Sequence, residues 1–341
     1  MSEVFIRGWG AVSPAGWGTA ALRDAVTKAD PIAVRELPRP NASPIKAKGV
    51  PPLSARPVFL AHPRLRRTSP ISQFAVAAAL EALGSDATEV QAGTRTLGVV
   101  FCSTCGCVNY SKRFFGELLA DPSTASPVVF PETVFNAPSS HLAALLGTKA
   151  INYTIVGDPG TFLVGLSVAA DWLVQGRVQS CLVIAAEELD WLTASAQEIF
   201  DSKIPLAEGA GAINLSLQPR TSPSPKLVSI TNSRLFDSTK SKSAAARSVR
   251  KELGDGPVEE ALWDSLVGSR RSDLPESEAW NDWRGPRFSA KRTQGEGLTA
   301  AAAWQCVLAA ESLSRKEHPS AAVSVVGCNQ QAIAARFGFN T

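Results

Sequence analysis

The sequence predicts an α/β protein in which mostly parallel strands are covered by helices on both faces. Apolar runs of strand length, such as residues 96–103 and 181–186, alternate with segments whose apolar residues recur at helical spacing. The same strand–helix order starts again after the proline-rich segment 219–225. We therefore expect two similar halves, an N-terminal half over residues 1–219 and a shorter C-terminal half over residues 220–341.

The elements of the N-terminal half follow from short apolar runs that end at Gly and Pro turns. Seven prolines in residues 31–57 predict an irregular surface connection there. Leu22 and Val26 share one face of a helix that precedes this connection. The other predicted helices are 69–83, 132–146 and 161–174, and the predicted strands are 4–12, 96–103, 151–156, 181–186 and 209–217.

The C-terminal half repeats this order in fewer residues. Its most distinct element is an Ala-rich helix over 297–313. The remaining predictions are strands at 227–231, 321–327 and 333–339, and helical stretches at 241–253 and 257–266.

Composition excludes several broad classes of protein. Of 341 residues, 45% are hydrophobic and 19% charged, which is typical of a folded chain. The net charge of +3 is too small to indicate a nucleic-acid or membrane partner. Six cysteines make no disulfide framework, and neither a membrane span nor a signal peptide is expected. We therefore expect a cytoplasmic protein.

The candidate chemical groups are few. Cys102, Cys105 and Cys107 form a C-x-x-C-x-C run, for which small buried thiols are a better interpretation than a metal site because no fourth ligand is near. No metal or other cofactor is expected. The three histidines have no acid or nucleophile at a recognisable spacing. Basic residues in 240–251 predict a solvated helix face, or a surface for an acidic protein.

The junction between the strand 151–156 and the following helix is the most informative segment. In many α/β enzymes a nucleophile lies where a buried strand turns into a helix, because the helix N-terminus lowers its pKa. Here the position carries Pro159, which suits the start of a helix but has neither a nucleophile nor an N–H. The local structure is favourable and the reactive group is absent.

Seven segments, in their order and spacing, resemble the β-ketoacyl synthases of the thiolase fold. They are IRGWGAVSPAGWG (6–18), RRTSPISQFAVAAALEAL (66–83), FPETVFNAPSSHLAALLGTKAINYTIVGDPG (130–160), QGRVQSCLVIAAEE (175–188), AEGAGAINL (207–215), AKRTQGEGLTAAAAW (290–304) and VSVVGCNQQA (323–332). The resemblance implies a five-layered αβαβα arrangement of two βαβαβαββ halves.

The resemblance also implies that the catalytic set has been lost. The family's acylated Cys corresponds to Pro159, and its two catalytic histidines correspond to Ser265 and Glu296. Only Lys291 is retained. Without a thiolate there is no covalent intermediate, and without imidazoles the enolate is not stabilised.

Such a chain resembles the chain-length-factor subunits of type II polyketide and aryl-polyene systems. These are inactive homologues that pair with an active ketosynthase served by an acyl carrier protein. The resemblance implies an interface along Ile151, Tyr153 and Ile155 that sets two like strands antiparallel. It further implies an acyl tunnel whose walls are Thr104, Cys105, Cys107, Val129, Phe130 and Phe135. For the two phenylalanines, ordinary core packing is the alternative.

Two other functions stay open at this stage. The first is an acyltransferase or hydrolase of the same fold that uses Glu296, Lys291 or a thiol of the Cys102–Cys107 group. The second is a scaffold that docks a carrier protein through residues 240–251.

Overall fold

The computed structural model of the chain describes residues 3–53, 55, 57–149, 151–220, 223–237 and 241–339. The strands are β1 Val4–Ser13, β2 Gly16–Trp17, β3 Arg35–Arg39, β4 Ala42–Lys48, β5 Leu97–Ser103, β6 Asn152–Val156, β7 Ser180–Glu187, β8 Leu206–Ala207, β9 Gly209–Ser216, β10 Lys226–Ile230, β11 Arg234–Leu235, β12 Ala261–Trp263, β13 Arg287–Phe288, β14 Ser320–Val326 and β15 Gln331–Gly338. The helices are α1 Thr19–Lys28, α2 Pro70–Leu83, α3 Asp86–Gln91, α4 Val108–Ala120, α5 Ala137–Leu146, α6 Thr161–Val174, α7 Trp191–Phe200, α8 Lys242–Leu253, α9 Arg270–Ala279, α10 Ala290–Gln294 and α11 Leu298–Ser314.

The main strands form two groups with the same topology. The first runs β1, β9, β7, β5, β6, and the second runs β10, β15, β14, β12, β13. In each group the first two neighbouring pairs are antiparallel and the last two are parallel. The groups join where β1 pairs with β10 at Val4–Leu227 and Phe5–Lys226. The predicted repeat of one strand–helix order is thus a repeat of topology, while the exact division at 219/220 stays a prediction.

Three buried clusters define five layers. Helices α6 and α11 pack between the two groups of strands, α2 and α5 cover the outer face of the first group, and α8 and α9 cover that of the second. Neighbouring residues of a strand face opposite layers: Val183 of β7 points to the central helices and Leu182 to the outer ones. Val323 and Ala322 of β14 divide in the same way. The α/β, five-layered fold expected from the sequence is confirmed.

Helix α2 lies unusually close to β1 because β1 carries glycines that face it. A Cβ at Gly8 would lie 2.2 Å from the carbonyl oxygen of Ala82, and a Cβ at Gly10 would lie 2.2 Å from that of Ala78. The small alanines of α2 and these two glycines therefore set the spacing between the outer layer and the strands.

The structure corrects four sequence predictions. Residues 31–57 are not irregular throughout, because β3 and β4 form a hairpin that continues to β8. Residues 257–266 contain the short buried strand β12 and not a helix. The predicted helix 132–146 begins only at Ala137. The strand predicted as buried at 151–156 is β6, an edge strand with exposed residues. Among the described residues, no helix is both long enough and apolar enough to cross a membrane.

Candidate functional site

The turn between β6 and α6 places Pro159 at the buried start of a central helix. Residues Asp158, Pro159 and Gly160 are all buried there. The carbonyl oxygen of Asp158 accepts a hydrogen bond from the Thr161 N–H at 2.8 Å, which begins the helix. Pro159 satisfies this local geometry and supplies neither a nucleophile nor an N–H donor to the site.

Asp158 ties this turn to the loop between β14 and β15. Its carboxylate accepts hydrogen bonds from the backbone N–H groups of Asn329, Gln330 and Gln331 at 3.1–3.3 Å and from the Cys328 thiol at 3.4 Å. A Cβ at Gly327 would lie 1.6 Å from an Asp158 oxygen, so only glycine fits the start of the loop.

Three of the positions implied by the resemblance meet in one cavity of about 160 Å³. Ser265 follows β12, Lys291 lies on α10, and Glu296 precedes α11. Cys328 lines the same cavity and donates to the carboxylate of Asp158, the residue before Pro159. Ser265, Lys291 and Glu296 therefore line one cavity, and their roles in the family remain implied by the resemblance.

The Ser265 hydroxyl is already engaged. It donates to the Glu276 carboxylate at 2.5 Å and accepts a hydrogen bond from the Val326 N–H at 3.0 Å. Burial, with the nearby Asp264 carboxylate, raises the pKa of Glu276. A hydroxyl held on both sides is a structural link and not a free nucleophile.

Lys291 and Glu296 form a buried ion pair. The Lys291 ammonium donates to Glu296 Oε2 at 2.8 Å, and Glu296 Oε1 accepts the Leu298 N–H at 2.8 Å. Burial alone lowers the pKa of Lys291, but the adjacent Glu296 carboxylate outweighs burial and leaves that pKa above its ordinary value. Lys291 therefore stays charged and cannot act as a base.

A second cavity, of about 320 Å³, adjoins the first across Gln197, Phe200 and Cys328. Thr104 and Cys105, two of the predicted wall positions, line it.

The loop that carries these two wall residues is fixed by Glu187, at the end of β7. The Glu187 carboxylate accepts the N–H groups of Thr104 at 2.5 Å and Cys105 at 3.1 Å. Burial raises the pKa of Glu187 to about 7, although these donors act in the opposite direction. Sequence reasoning missed Glu187, although an acid at the end of an apolar strand is a visible signal.

The thiols of the site are poor nucleophiles. Burial raises the pKa values of Cys102, Cys105 and Cys107, and it raises that of Cys328 to about 12. The thiolate form that attacks a thioester is therefore scarce at neutral pH. Within the described ranges, no three His, Cys, Asp or Glu side chains are arranged to hold a metal ion.

The remaining predicted wall positions do not line the two central cavities. Cys107 is buried, and Val129 borders a separate cavity of about 310 Å³. Phe130 and Phe135 are 55% and 41% exposed, so core packing is the wrong interpretation for both. The Phe135 ring packs against Gly106, where a Cβ would lie 2.5 Å from the ring. Phe135 thus contacts the back of the loop that lines the central cavity.

The predicted interface residues Tyr153 and Ile155 lie on β6, at the edge of the first group of strands, and Ile151 directly precedes that strand. Tyr153 and Val156 are 54% and 49% exposed, while Ile151 and Ile155 are partly buried and pack on the central core. Within the described part of the chain, β6 pairs with β5 and with no other strand, so its other edge is available for pairing.

The basic stretch 240–251 is not one solvated face. Lys240 lies outside the described residues. Lys242 lines the smaller cavity and lies over the Phe236 ring, and burial lowers its pKa. Arg250 is buried in salt bridges with Asp255 and Asp282. Arg247 and Lys251 are the exposed basic residues in the described part of this stretch.

The histidines lie away from the two cavities. His141 pairs with Glu132 at 2.9 Å, His62 accepts the Arg64 N–H at 3.4 Å, and His318 packs near Phe288. None lines either cavity. The structure therefore supplies no imidazole beside Pro159.

Comparisons with solved structures place the chain in the thiolase fold of the ketosynthases. It superimposes on "The ishigamide ketosynthase/chain length factor" with a TM-score of 0.83 and 21% identity, covering 99% of this chain and 100% of the other. A β-ketoacyl synthase from Burkholderia phymatum STM815 superimposes with a TM-score of 0.81 and 17% identity, and the match covers 100% of both chains. A chain of the complex between the ketosynthase ApeO and its chain length factor ApeC, from Xenorhabdus doucetiae, superimposes with a TM-score of 0.80 and 15% identity. The match covers 99% of this chain and 98% of the other.

The sequence comparisons add nothing to this result. No protein-family model and no curated protein sequence matches the chain. The resemblance seen in the sequence is therefore confirmed at the level of the fold, which is shared over the full length of the neighbours.

Proposed function

We propose that this chain is a non-catalytic ketosynthase homologue that acts as the chain-length-factor partner of an active ketosynthase. The pair would extend acyl chains carried by an acyl carrier protein, in fatty acid or polyketide biosynthesis of the aryl-polyene type, in the cytoplasm. The solved neighbours that carry the same fold include a ketosynthase with its chain length factor and a type II polyketide ketosynthase with its acyl-carrier protein.

The observation that carries the proposal is Pro159 at the start of α6. A ketosynthase needs a thiolate at this place, and proline cannot be acylated. Ser265 and Glu296 stand where the resemblance expects imidazoles. The Ser265 hydroxyl is hydrogen-bonded to Glu276, and the Glu296 carboxylate is paired with Lys291. Among the described residues of the two cavities, burial raises the pKa values of the thiols Cys105 and Cys328, and Lys291 is held in an ion pair.

Exposed apolar side chains on α4, on the turn at 128–130 and on β6 support a protein partner. Helix α4 has no buried residue, and Phe115 and Leu119 on it are 60% and 76% exposed. Val128, Phe130 and Tyr153 are also more than half exposed. Helix α4 contacts the turn that carries Phe130, so several large exposed apolar side chains lie together there, which is unusual for a protein that works alone. A partner related by a pseudo-two-fold axis would pair with the free edge of β6 and cover α4.

A basic cluster supports an acidic carrier protein as the third component. Arg64, Arg67 and Arg113 border the cavity of about 310 Å³ that also includes Val129. Arg64 and Arg67 are exposed, and in the described ranges neither guanidinium forms a salt bridge. Such a cluster would steer an acidic partner toward the predicted acyl tunnel. It is a better candidate than 240–251, whose Lys242 and Arg250 are engaged inside the protein.

The direct test is co-expression with a ketosynthase that has an intact cysteine and two histidines and comes from the same pathway. We expect the two chains to co-purify and the pair to make acyl products from carrier-bound substrates. We expect neither outcome from a ketosynthase of an unrelated pathway, which is the matched control. A ketosynthase of the same pathway that is fully active without binding this chain would contradict the proposal.

The alternative of an independent acyltransferase or hydrolase has its own test. The chain alone is incubated with acyl-thioesters, and its intact mass is measured. We expect no adduct, because the cavity thiols are protonated and Lys291 is paired. A covalent acyl group mapped to Lys291, Glu296 or a thiol of the Cys102–Cys107 group would establish the alternative.

A further inference from the structure

The loop between β14 and β15 directs three successive backbone N–H groups toward one point, and the Asp158 carboxylate occupies that point. Asp158 Oδ2 accepts the N–H groups of Gln330 and Gln331, each at 3.1 Å. Its Oδ1 accepts the Asn329 N–H at 3.3 Å and the Cys328 thiol at 3.4 Å. Successive backbone N–H groups that converge on one point make an anion-binding concavity.

The loop is built to hold this shape. It closes on itself through a hydrogen bond from the Gly327 N–H to the Gln331 carbonyl at 2.9 Å. The Gln331 side chain donates to the Asp158 carbonyl at 3.4 Å and to the Thr161 hydroxyl at 3.3 Å. A Cβ at Gly160 would lie 2.7 Å from Ile333, so the loop and the start of α6 are in close contact.

The site can be reached from the larger central cavity. Asp158, Cys328, Asn329 and Gln330 all line that cavity of about 320 Å³. An oxygen of a ligand that reached its end, beside Pro159, would meet the Asp158 carboxylate, because the N–H donors are already occupied. Two negatively charged oxygens at this place would repel each other.

We propose that Asp158 is an internal plug in an anion site that takes small monocarboxylates, and that it keeps oxygen anions out of the cavity. This deepens the non-catalytic assignment, and its biological meaning rests on the proposed function. Pro159 has neither an N–H donor nor a nucleophile, and the Asp158 carboxylate already accepts the backbone N–H groups that the loop directs toward the site. The site would thus stay closed to reaction intermediates even if a thiol were restored at position 159.

The test uses the isolated full-length chain, so its outcome does not depend on any partner. Asp158→Ala empties the site, and its Tm is measured with increasing sodium acetate against sodium chloride at equal ionic strength. We expect a lowered Tm that rises with acetate and saturates, since a ligand stabilises the state that binds it. Wild type should respond equally to both salts. Asp158→Asn is the matched control, because its amide oxygen still fills the site.

Several results would overturn the proposal. One is an Asp158→Ala protein whose Tm responds to acetate no more than that of wild type. Another is an Asp158→Asn protein that gains the same response, because acetate would then bind elsewhere. Should Asp158→Ala be insoluble, acetate in the growth and lysis buffers should recover soluble protein, for it or for Asp158→Ser. Failure to recover either variant would show that Asp158 is only a structural clamp.

Discussion

Lys291 Nζ lies 2.8 Å from Glu296 Oε2, and both side chains are almost fully buried in the cavity next to Pro159. The resemblance implies that Lys291 is a lysine kept from the family and that Glu296 stands in place of a histidine. A glutamate at this position compensates the buried charge of the lysine, and in the proposed function it also leaves the site without that imidazole.

The ion pair predicts that removing one partner lowers the free energy of unfolding much more than replacing both partners by apolar residues. Glu296→Ala leaves a buried ammonium without a partner and should lower the free energy of unfolding by about 3–5 kcal/mol. Lys291→Met combined with Glu296→Leu should cost much less, because no charge is left buried. Urea unfolding measures both.

The surface pair Arg315–Glu317 provides the matched control for this prediction. Both of its side chains are about half exposed. Glu317→Ala should therefore change the free energy of unfolding by less than about 1 kcal/mol. Equal effects of Glu296→Ala and Glu317→Ala would contradict the prediction.

The raised pKa of Glu187 predicts a dependence of stability on pH. The pKa is about 7 in the folded chain against an ordinary value of 4.5, so between these values the folded state binds more protons than the unfolded one. The contribution of this group is therefore fully present below about pH 4.5 and is lost as the pH rises through 7. Glu187→Gln should remove that loss, so above pH 7 its free energy of unfolding should exceed that of wild type by up to about 3 kcal/mol.

Urea unfolding of wild type and Glu187→Gln across this pH range measures the difference. Glu317→Gln, at an exposed position, should follow wild type throughout. Parallel pH profiles for wild type and Glu187→Gln would mean that Glu187 is not protonated in the folded chain.

The sequence predicts most of the fold because its central strands and helices are fully buried. The Ala-rich helix 297–313 and the strand 181–186 match α11 and β7 to within one residue at each end. Predictions failed where the apolar run that marks an element has only a few residues. Strand β12 has three residues, Ala261–Trp263, and a run this short has no period that separates a strand from a helix. Prolines in residues 31–57 also fit a hairpin at the edge of a small sheet.

The site was predictable only in part, for a different reason. Pro159, Ser265, Lys291 and Glu296 could be placed by motif spacing. An acid at the end of an apolar strand marks Glu187 as a candidate, but its partners, like those of Asp158, could not be predicted, because they are backbone N–H groups of loops that are distant in sequence. Hydrogen bonds to backbone leave no residue-type signature in the partner segment.

The free edge of β6 predicts which substitutions break the complex with a ketosynthase. Val156 is 49% exposed beside the edge, so Val156→Asp places a charge where the partner's strand would pack. We expect the affinity for the ketosynthase to fall more than tenfold, about 1.4 kcal/mol or more. Val258→Asp is the control, because Val258 is 74% exposed on the other half of the chain. Binding of each variant to surface-immobilised ketosynthase measures the two affinities. Equal affinities for the two variants would place the interface elsewhere.

The contact between Phe135 and Gly106 predicts how this chain would limit product length. The Phe135 ring supports the loop that carries Thr104 and Cys105, which line the larger central cavity. Phe135→Ala removes that support and opens space, so the pair should release longer acyl chains, because close-packed walls do not yield to a growing chain. Mass spectrometry of carrier-bound products measures the length. Phe59→Ala, in the outer layer beside α2, is the control and should leave it unchanged. If no substitution at Thr104, Cys105, Cys107, Val129, Phe130 or Phe135 alters product length, the tunnel does not run along these residues.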